Sequence, residues 1–365
     1  MKILFVGLDT MPYIGGIETF VLKEVSYLDK NKYEVHILSF HGDTPCFYEE
    51  FLKLGAEFHF IPNRRDHFIS NYYELIKLLK TYQFDIIHCN LNSYSYITPC
   101  LLALKTGSKV IIHGHNSGCL QGNKSILLHN INKRRIPFDK VYNIAVSDVA
   151  GKWFFGKHDY VILNNGVETE KNKYSVEKRR KIRKEFGLDE EKVILHVGAF
   201  RNQKNHERII SIFTDVLKEK SNSVLFLVGE GNLKNSLQQK VRDVGLASKV
   251  IFTGNRDDVD CFLSAADVFL FPSFYEGFPI ALIEAECSGL QCVISDVITK
   301  QVQIEGICKT VSLDEENDEW VEKIVSALEC KEDRKKYAEI IENLGLGMDS
   351  EIKQIERIYD TLMEE

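Results

Sequence analysis

A series of short apolar segments, rich in Val, Ile, Leu and Phe and separated by amphipathic stretches, decides the class of fold. Within each segment the apolar residues are continuous rather than alternating, as a parallel strand with both faces buried requires. Helical stretches between parallel strands imply right-handed βαβ crossovers, so the sequence predicts an α/β fold with two doubly wound units. The predicted strands are 2–7, 33–40, 57–62, 85–90, 109–115, 142–147, 160–166, 192–198, 223–229, 249–254, 267–273 and 291–295.

The length of 365 residues suits two domains better than a single core. Between the halves, 12 of the 18 residues in 168–185 are charged, which indicates a solvated linker or surface helix and an interdomain hinge. Apolar residues near the end of the chain have the spacing of an amphipathic helix. We therefore predict domains at 1–167 and 191–346, a linker at 168–190 and a closing helix at 347–365.

The composition argues against several classes of protein. A formal net charge of -7 does not suit general nucleic-acid binding. The nine cysteines have neither the paired spacing of a metal site nor the pattern of a secreted scaffold, so free thiols in a reducing cytoplasm are expected. The segment MKILFVGLD is typical of a first strand rather than a signal peptide, and no apolar run approaches the roughly 20 residues of a membrane-spanning helix. We expect a cytoplasmic protein that meets a membrane only peripherally, at the inner face of the plasma membrane.

A turn between a predicted strand and a predicted helix is the strongest indication of a ligand site. The strand 267–273 is followed by Glu276 and then by Pro279, which suits the first position of a helix, and Gly289 is expected to end that helix. Free N–H groups at a helix start favour an anion such as a diphosphate. Glu284 lies about 7.5 Å along the helix, tilts back towards its start and can accept hydrogen bonds from a ribose. Glu276 can reach a sugar beyond the diphosphate; alternatively, both glutamates are surface residues.

The segment HVGAFRNQKNH, at 196–206, is expected to lie near that turn. A predicted strand ends at Gly198, and Arg201 and Lys204 follow as a helix begins. Two cations there can stabilise charge that develops on a departing diphosphate. Arg is a rigid fork and Lys a flexible point charge, so their roles differ. The alternative is a polar loop with solvated charges, which the neighbouring anion-binding turn makes the weaker interpretation.

Two segments of the first half also follow predicted strands. Gly15 and Gly16 open a helix and offer backbone N–H groups to phosphates, although a simple glycine pair at a helix start explains them equally well. His113 and His115 end a later strand, where an imidazole can form hydrogen bonds with a ligand or transfer a proton. A metal pair is the weaker interpretation, since the spacing places no third ligand. The acidic segment at 257–260 is interpreted as a helix start and is assigned no metal.

Together these segments resemble the retaining glycosyltransferases of family 4, in the GT-B superfamily. The motifs are VGAFRNQKNH, two glutamates separated by seven residues, GGIE and NNGVE, and the resemblance spans nearly the whole chain. It implies two Rossmann-like domains that face each other across a cleft, with the nucleotide sugar held mainly by the second. The donor-binding residues that it implies are Gly15, Gly16, Arg201, Lys204, Glu276, Gly277, Phe278 and Glu284, and the catalytic ones are His115, Glu276, Lys204 and Arg201. The family often has Arg where this chain has Ala199, so Arg201 is expected to supply that charge.

The resemblance implies transfer of a sugar from a nucleotide donor, expected to be a UDP-sugar, with retention of configuration and without a metal. The HGHN segment is similar to that of exopolysaccharide enzymes, which favours a glycan or lipid-linked acceptor. The family places a histidine after this strand near the transferred sugar, where an imidazole can hydrogen-bond the donor sugar or orient the acceptor hydroxyl. His115 is favoured over His113 for this role because it lies further past the strand end. Two alternatives stay open: a UDP-sugar epimerase on the same scaffold, and a non-catalytic nucleotide-sugar-binding subunit. Pattern alone determines neither the sugar, the base, the acceptor, the linkage nor the oligomeric state.

The segment 123–140 mixes apolar residues with five basic ones in an otherwise acidic protein. Such a segment can rest on anionic lipid, or it can pack as an ordinary surface helix. Because many enzymes of the resembling type act on lipid-linked acceptors, the resemblance favours contact with an anionic membrane.

Overall fold

The computed structural model describes residues 1–8, 16–116, 123–276 and 278–364. The chain forms two compact units, one made of Met1–Asn165 with Glu351–Glu365 and the other of Gly166–Ser350. Each unit contains a parallel sheet with helices between its strands, so the predicted α/β class is confirmed.

The sheet of the first unit has seven strands in the described part of the chain, in the order β3-β2-β1-β4-β5-β6-β7. Its strands are β1 (Lys2–Val6), β2 (Glu34–Phe40), β3 (Glu57–Ile61), β4 (Ile86–Leu91), β5 (Lys109–Gly114), β6 (Tyr142–Ala145) and β7 (Val161–Ile162). Its helices include α1 (Gly16–Tyr27), α2 (Tyr48–Lys53), α3 (Phe68–Tyr82), α4 (Thr98–Thr106), α5 (Asn123–Lys133) and α6 (Asp148–Phe155). The strand order reverses between β1 and β4, and such a switch point leaves a crevice at the carboxyl ends of the strands.

Gly7 fixes how closely the ends of β1 and β4 approach. Its φ is +103°, and a Cβ there would lie 1.9 Å from the carbonyl oxygen of Asn90. Only glycine tolerates both that conformation and that distance. The close approach holds Asn90, near the end of β4, at the carboxyl edge of the sheet.

The second unit contains a six-stranded parallel sheet in the order β10-β9-β8-β11-β12-β13, counted over the residues that the structure describes. Its strands are β8 (Lys192–Val197), β9 (Ser223–Val228), β10 (Val250–Gly254), β11 (Val268–Phe271), β12 (Gln291–Ser295) and β13 (Cys308–Val311). Its helices include α7 (Thr169–Asn172), α8 (Val176–Glu185), α9 (His206–Glu219), α10 (Lys234–Asp243), α11 (Val259–Ala265), α12 (Ile280–Cys287), α13 (Asn317–Leu328) and α14 (Tyr337–Asn343). Buried side chains form two clusters in this unit.

The charged segment 168–190, which the sequence analysis expected as a linker, contains α7 and α8 and belongs to the second unit. Arg179 donates hydrogen bonds to the Ala265 carbonyl at 2.6 Å and to Asp267 Oδ1 at 2.8 Å. Lys178 lies 2.7 Å from Asp260. Basic residues of α8 therefore bind carbonyls and carboxylates around α11 instead of being fully solvated.

The chain ends in α15 (Met348–Glu364), and from Glu351 onward its residues belong to the first unit. The apolar positions that predicted this helix are all buried, namely Ile352, Ile355, Ile358, Tyr359 and Leu362. Gln354 donates to the Ile162 carbonyl at 3.2 Å, and Lys32 pairs with Asp360 at 2.8 Å. The last helix is thus an integral part of the first unit.

Candidate active site

The candidate site of the second unit lies at the carboxyl ends of β8 and β11. These two strands are parallel neighbours in the sheet, so the loops that follow them begin at the same edge. The loop after β8 contains a short 3-10 turn at Asn202–Lys204, and the loop after β11 leads to the start of α12. Lys204 and Glu276, predicted from separate segments of the sequence, meet at this edge.

Lys204 and Glu276 form an ion pair, with 2.8 Å between Lys204 Nζ and Glu276 Oε1. Their side chains are only 17% and 7% exposed. The Lys204 ammonium also lies 4.7 Å from the ring centre of Phe271, at the end of β11, within the range of a cation–π contact. A partly desolvated pair of this kind has a fixed geometry, so the ammonium is held in place before any ligand binds.

Hydrogen bonds from neighbouring residues join the two loops. Gln203 Nε2 donates to the Tyr275 carbonyl at 2.9 Å and to Glu276 Oε2 at 3.3 Å. The Phe274 N–H donates to the Gln203 carbonyl at 2.9 Å, and Asn205 Nδ2 donates to the Pro272 carbonyl at 3.1 Å. Gln203 was not predicted from the sequence as a site residue, although it lies inside the VGAFRNQKNH segment. Its double contact orients the carboxylate of Glu276.

Two buried histidines lie near Lys204. Their rings, His196 on β8 and His206 at the start of α9, are 4.8 Å apart. Burial lowers the pKa of His206 to about 4, and it lowers the pKa of His196 well below its ordinary value. Both rings are therefore neutral at pH 7 and do not repel the Lys204 ammonium. Among the described residues His196 Nε2 has no hydrogen-bond partner.

The other predicted residues of the second unit lie on the same two loops and on α12. Arg201 is exposed at the start of the 3-10 turn, and Ala199 precedes it. Glu284 lies in the second turn of α12 and is half-buried, while Phe278 packs against the core of the unit. Gly277 lies outside the described residues. The partial burial of Phe278 makes it a packing residue of the loop as much as a ligand contact.

The candidate site of the first unit contains His115, directly after β5. Its Nε2 atom lies 2.8 Å from Asn90 Oδ1, and its ring centre lies 5.0 Å from that of Phe20 on α1. Burial lowers the pKa of His115 to about 3, so the ring is neutral at pH 7. Gly16 is the first residue of α1, and Gly15 lies outside the described residues. A neutral imidazole can hydrogen-bond a sugar or an acceptor hydroxyl.

His113 occupies a different environment from His115. It is fully buried on β5, and its Nδ1 atom lies 3.3 Å from His88 Nε2. His88 Nδ1 lies 2.8 Å from the Tyr359 hydroxyl, which donates to Glu24 Oε1 at 2.7 Å. Burial raises the pKa of Glu24 to about 8. A connected set of buried polar groups therefore contacts β5 through His113. This set was not predicted from the sequence.

The basic segment of the first unit contains α5. Four apolar side chains of this helix are exposed, namely Ile126, Leu127, Leu128 and Ile131. Arg134 and Arg135 are exposed directly after the helix, whereas Lys133 donates a hydrogen bond to the Trp153 carbonyl at 2.6 Å.

Comparisons with known proteins decide the family. Residues 178–343 match the family described as Glycosyl transferases group 1, and residues 14–171 match Glycosyltransferase Family 4. The chain is a family 4 glycosyltransferase with the GT-B architecture. It is 27% identical over 364 residues to EpsF of Bacillus subtilis (strain 168), a protein named as a glycosyltransferase, covering 95% of this chain and 93% of EpsF.

A second relative supports the same family, and a solved structure shows the same fold. The UDP-Gal:alpha-D-GlcNAc-diphosphoundecaprenol alpha-1,3-galactosyltransferase of Escherichia coli is 24% identical over 326 residues, 81% of this chain and 80% of that protein. The crystal structure of Anabaena HepE in complex with UDP and glucose aligns with a TM-score of 0.76 at 17% identity, covering 99% of this chain and 100% of that one. At that identity the likeness concerns the fold.

Within the described part of the chain, no helix has both the length and the apolar character needed to cross a membrane.

Proposed function

We propose that this glycosyltransferase moves a sugar from a UDP-sugar to a glycan or lipid-linked acceptor, with retention of configuration, during assembly of a bacterial polysaccharide. The HepE structure, with UDP and glucose, supports the choice of donor. The names of relatives support the acceptor class, since one acts on a diphosphoundecaprenol-linked sugar and another is a capsular polysaccharide glycosyltransferase of Staphylococcus aureus.

The ion pair of Lys204 and Glu276 is the observation that carries the proposal. Without a ligand, Glu276 neutralises the Lys204 ammonium across 2.8 Å. A diphosphate carries more negative charge than one carboxylate and attracts the ammonium more strongly in a partly desolvated site. Glu276 can then accept hydrogen bonds from the hydroxyls of the donor sugar.

Other residues of the second unit would hold the rest of the donor. The N-terminal end of α12 is favourable for negative charge because the aligned peptide dipoles of a helix place partial positive charge at its start. Glu284, on the same helix, can accept the ribose hydroxyls, and the exposed Arg201 can approach the diphosphate from solvent. Lys204, Arg201 and this helix start would together stabilise the charge on the departing diphosphate.

Chemistry at the sugar is proposed to need no metal. The leaving phosphate would assist deprotonation of the acceptor hydroxyl on the same face of the sugar. The neutral imidazole of His115, held by Asn90, would hydrogen-bond the donor sugar or orient that acceptor hydroxyl.

Turnover of variants tests the proposal. Lys204→Ala and Glu284→Ala should each lower the rate of sugar transfer by about tenfold or more, because each removes a contact to the donor. Lys220→Ala is the matched control, since Lys220 also forms an ion pair, 2.9 Å from Glu329, outside the candidate site of the same unit. Near-normal rates of sugar transfer in folded Lys204→Ala and Glu284→Ala would contradict the proposal.

Incubation of the donor without acceptor separates the alternative functions. A new UDP-sugar formed in that reaction would indicate an epimerase instead of a transferase. Saturable binding of donor with no transfer to any lipid extract would indicate a non-catalytic subunit. Transfer that requires acceptor supports the proposal.

We also propose that α5 and the residues after it rest on an anionic membrane surface. Leu127 is 61% exposed, and the exposed Arg134 and Arg135 follow one end of this helix. Apolar side chains that enter the interface, flanked by cations that attract acidic headgroups, are the two components of peripheral lipid binding.

Flotation with lipid vesicles tests this contact. The protein should bind phosphatidylglycerol vesicles more strongly than phosphatidylcholine vesicles, and less strongly as salt increases. Leu127→Ser should weaken binding, whereas Leu344→Ser, at a 57% exposed position of the second unit, should not. Equal binding of both variants and the wild type would contradict the proposal.

A further inference from the structure

Four polar side chains meet on one face of the first-unit sheet, at the amino-terminal ends of β2 and of the edge strand β3. Glu34 and His36 lie on β2, and Glu57 and His59 lie on β3. Residues two apart on a strand share a face, and the parallel register pairs His36 with Glu57. The two histidines are buried, while the two glutamates are half-exposed.

The distances among three of these side chains are those of a metal site. His36 Nδ1 lies 2.9 Å from His59 Nε2 and 3.7 Å from Glu57 Oε2, and His59 Nε2 lies 3.9 Å from Glu57 Oε1. Ligand atoms bound tetrahedrally at 2.0–2.1 Å from a zinc ion are separated by about 3.3 Å. The observed distances lie on both sides of that value, so an ion fits among them with only small side-chain movements.

Neighbouring groups orient two of the three donors. His36 Nε2 lies 3.1 Å from Glu34 Oε1, so its N–H points at that carboxylate and the lone pair of Nδ1 points towards His59 and Glu57. The Tyr82 hydroxyl donates to Glu57 Oε1 at 3.0 Å. Metal-bound histidines are usually held in this way by a carboxylate on their other ring nitrogen, and metal-bound carboxylates by a hydrogen-bond donor.

We propose that His36, Glu57 and His59 bind one divalent transition-metal ion, with a fourth coordination position open to solvent. Two imidazoles and one carboxylate suit zinc and the neighbouring transition metals, whereas magnesium and calcium prefer oxygen ligands. Burial lowers the pKa of both histidines, which leaves their rings neutral, the form that binds metal.

The site has a route for the ion and a structural consequence. The side chain of Glu57 is 52% exposed and lies on β3, the outer strand of the sheet, so an ion can enter from solvent. The metal would join β2 to β3 at their amino-terminal ends, whereas His115 follows the carboxyl end of β5. The ion would therefore stabilise the sheet edge and take no part in sugar transfer.

An ordinary hydrogen bond is the competing explanation for the short distance between the two rings. If His36 is protonated on Nε2, His59 Nε2–H can donate to His36 Nδ1 across 2.9 Å with no ion present. Metal binding requires His59 to carry its proton on Nδ1 instead. The two explanations differ in one observable, which is binding of an ion.

Cobalt titration of the full-length protein, without a polyhistidine tag, tests the site. We expect about one Co²⁺ per chain to bind with the intense visible absorption of a tetrahedral site, and Zn²⁺ to displace it. His59→Ala removes a donor, and Glu57→Gln replaces the carboxylate with a neutral amide, a much weaker ligand, so each should abolish this spectrum. Tyr82→Phe keeps all three donors and should weaken binding by about tenfold to a hundredfold, because only the orientation of Glu57 is lost.

His158→Ala is the matched control, because His158 is exposed on the same unit but outside the cluster. Its Co²⁺ spectrum and affinity should equal those of the wild type. Absence of a saturable tetrahedral spectrum in the wild type would overturn the proposal and favour the hydrogen-bonded pair. Retention of the spectrum in Glu57→Gln, whose substituted side chain is half-exposed and does not endanger folding, would overturn it as well.

Discussion

His113, on β5, and His115, directly after the end of this strand, have separate environments. His115 is partly exposed and hydrogen-bonded to Asn90, whereas His113 is buried among other rings and stacks on His88 with 5.5 Å between ring centres. The sequence favoured His115 because it lies further past the strand end. The structure places only His115 beyond β5, which ends at Gly114.

Substitution of each histidine should therefore have a different effect. We predict that His115→Ala lowers the transfer rate by about tenfold or more with little change in melting temperature. His113→Ala should mainly destabilise the first unit, by about 2 kcal/mol, because it leaves a cavity and removes a partner of His88. Paired rate and melting measurements check this, and a large rate loss confined to His113→Ala would reverse the two roles.

Glu286 links stability to pH in the second unit. Burial raises the pKa of this carboxyl to about 8 from an ordinary value of 4.5, while its Oε1 atom accepts the Ile304 N–H at 2.8 Å. The folded protein therefore holds a proton that the unfolded chain loses above pH 4.5. The contribution of this proton to the free energy of unfolding is fully present below pH 4.5 and is lost as the pH rises towards the folded pKa. The free energy of unfolding decreases by at most about 1.4 kcal/mol per pH unit in this range.

Glu286→Gln keeps the acceptor for Ile304 and removes the titration. We predict that the melting temperature of the wild type decreases between pH 6.5 and pH 8. The decrease should be smaller in Glu286→Gln. Glu305→Gln, at an exposed position nearby, is the control and should follow the wild type. Burial also raises the pKa of Glu24 to about 8, so part of the decrease should remain in Glu286→Gln. Identical profiles of melting temperature against pH for the wild type and Glu286→Gln would contradict the role of Glu286.

The sequence predicted that the segments of Lys204 and Glu276 lie close together, because local patterns placed each of them after a strand. Lys204 and Glu276 follow β8 and β11, and adjacent parallel strands bring both loops to one edge. The same reasoning could not find the polar contact between Tyr359 and Glu24. Those residues are 335 positions apart, and their pairing depends on how α15 packs onto the first unit.

At the level of elements, continuous apolar segments were sufficient to predict the first twelve strands of the two sheets. They missed β13, whose sequence Cys-Lys-Thr-Val is short and forms no apolar run. This strand lies at the edge of the second sheet, where β12 is its one partner among the described residues, so less of its surface needs to be apolar. The charged segment 168–190 was also hard to interpret, because partners such as Asp267 lie far along the chain.

The end of α12 gives a prediction at this scale. Gly289, expected from the sequence to stop the helix, has a φ of +62°, and a Cβ there would lie 2.5 Å from the Arg334 carbonyl oxygen. Gly289→Ala should destabilise the second unit by about 2–3 kcal/mol, since it combines backbone strain with a steric clash.

Gly245→Ala provides the matched control for that effect. Gly245 has a similar φ of +74°, but a Cβ there would have no atom of the described residues within 4 Å apart from its neighbours in the chain. This substitution should lower the free energy of unfolding by about 1 kcal/mol, because it introduces backbone strain without a steric clash. Chemical denaturation measures the free energy of unfolding of both variants. Equal decreases in Gly289→Ala and Gly245→Ala would contradict a role for the contact with Arg334.

For the molecule as a whole, the chain crosses between its two units twice. It leaves the first unit after Asn165 and returns at Glu351. The returning helix contributes Ile355 and Tyr359, both fully buried, to the first unit. A truncation near residue 350 would therefore remove core residues of the first unit, which is otherwise formed by the first 165 residues.

The central claim is that the donor diphosphate binds where the loops after β8 and β11 meet. A crystal structure of the protein with a UDP-sugar is its most direct test. The account predicts the diphosphate within hydrogen-bond distance of Lys204 Nζ at the start of α12, with Glu276 released towards the sugar and Glu284 at the ribose. A diphosphate bound away from Lys204, with the ion pair to Glu276 intact, would contradict it.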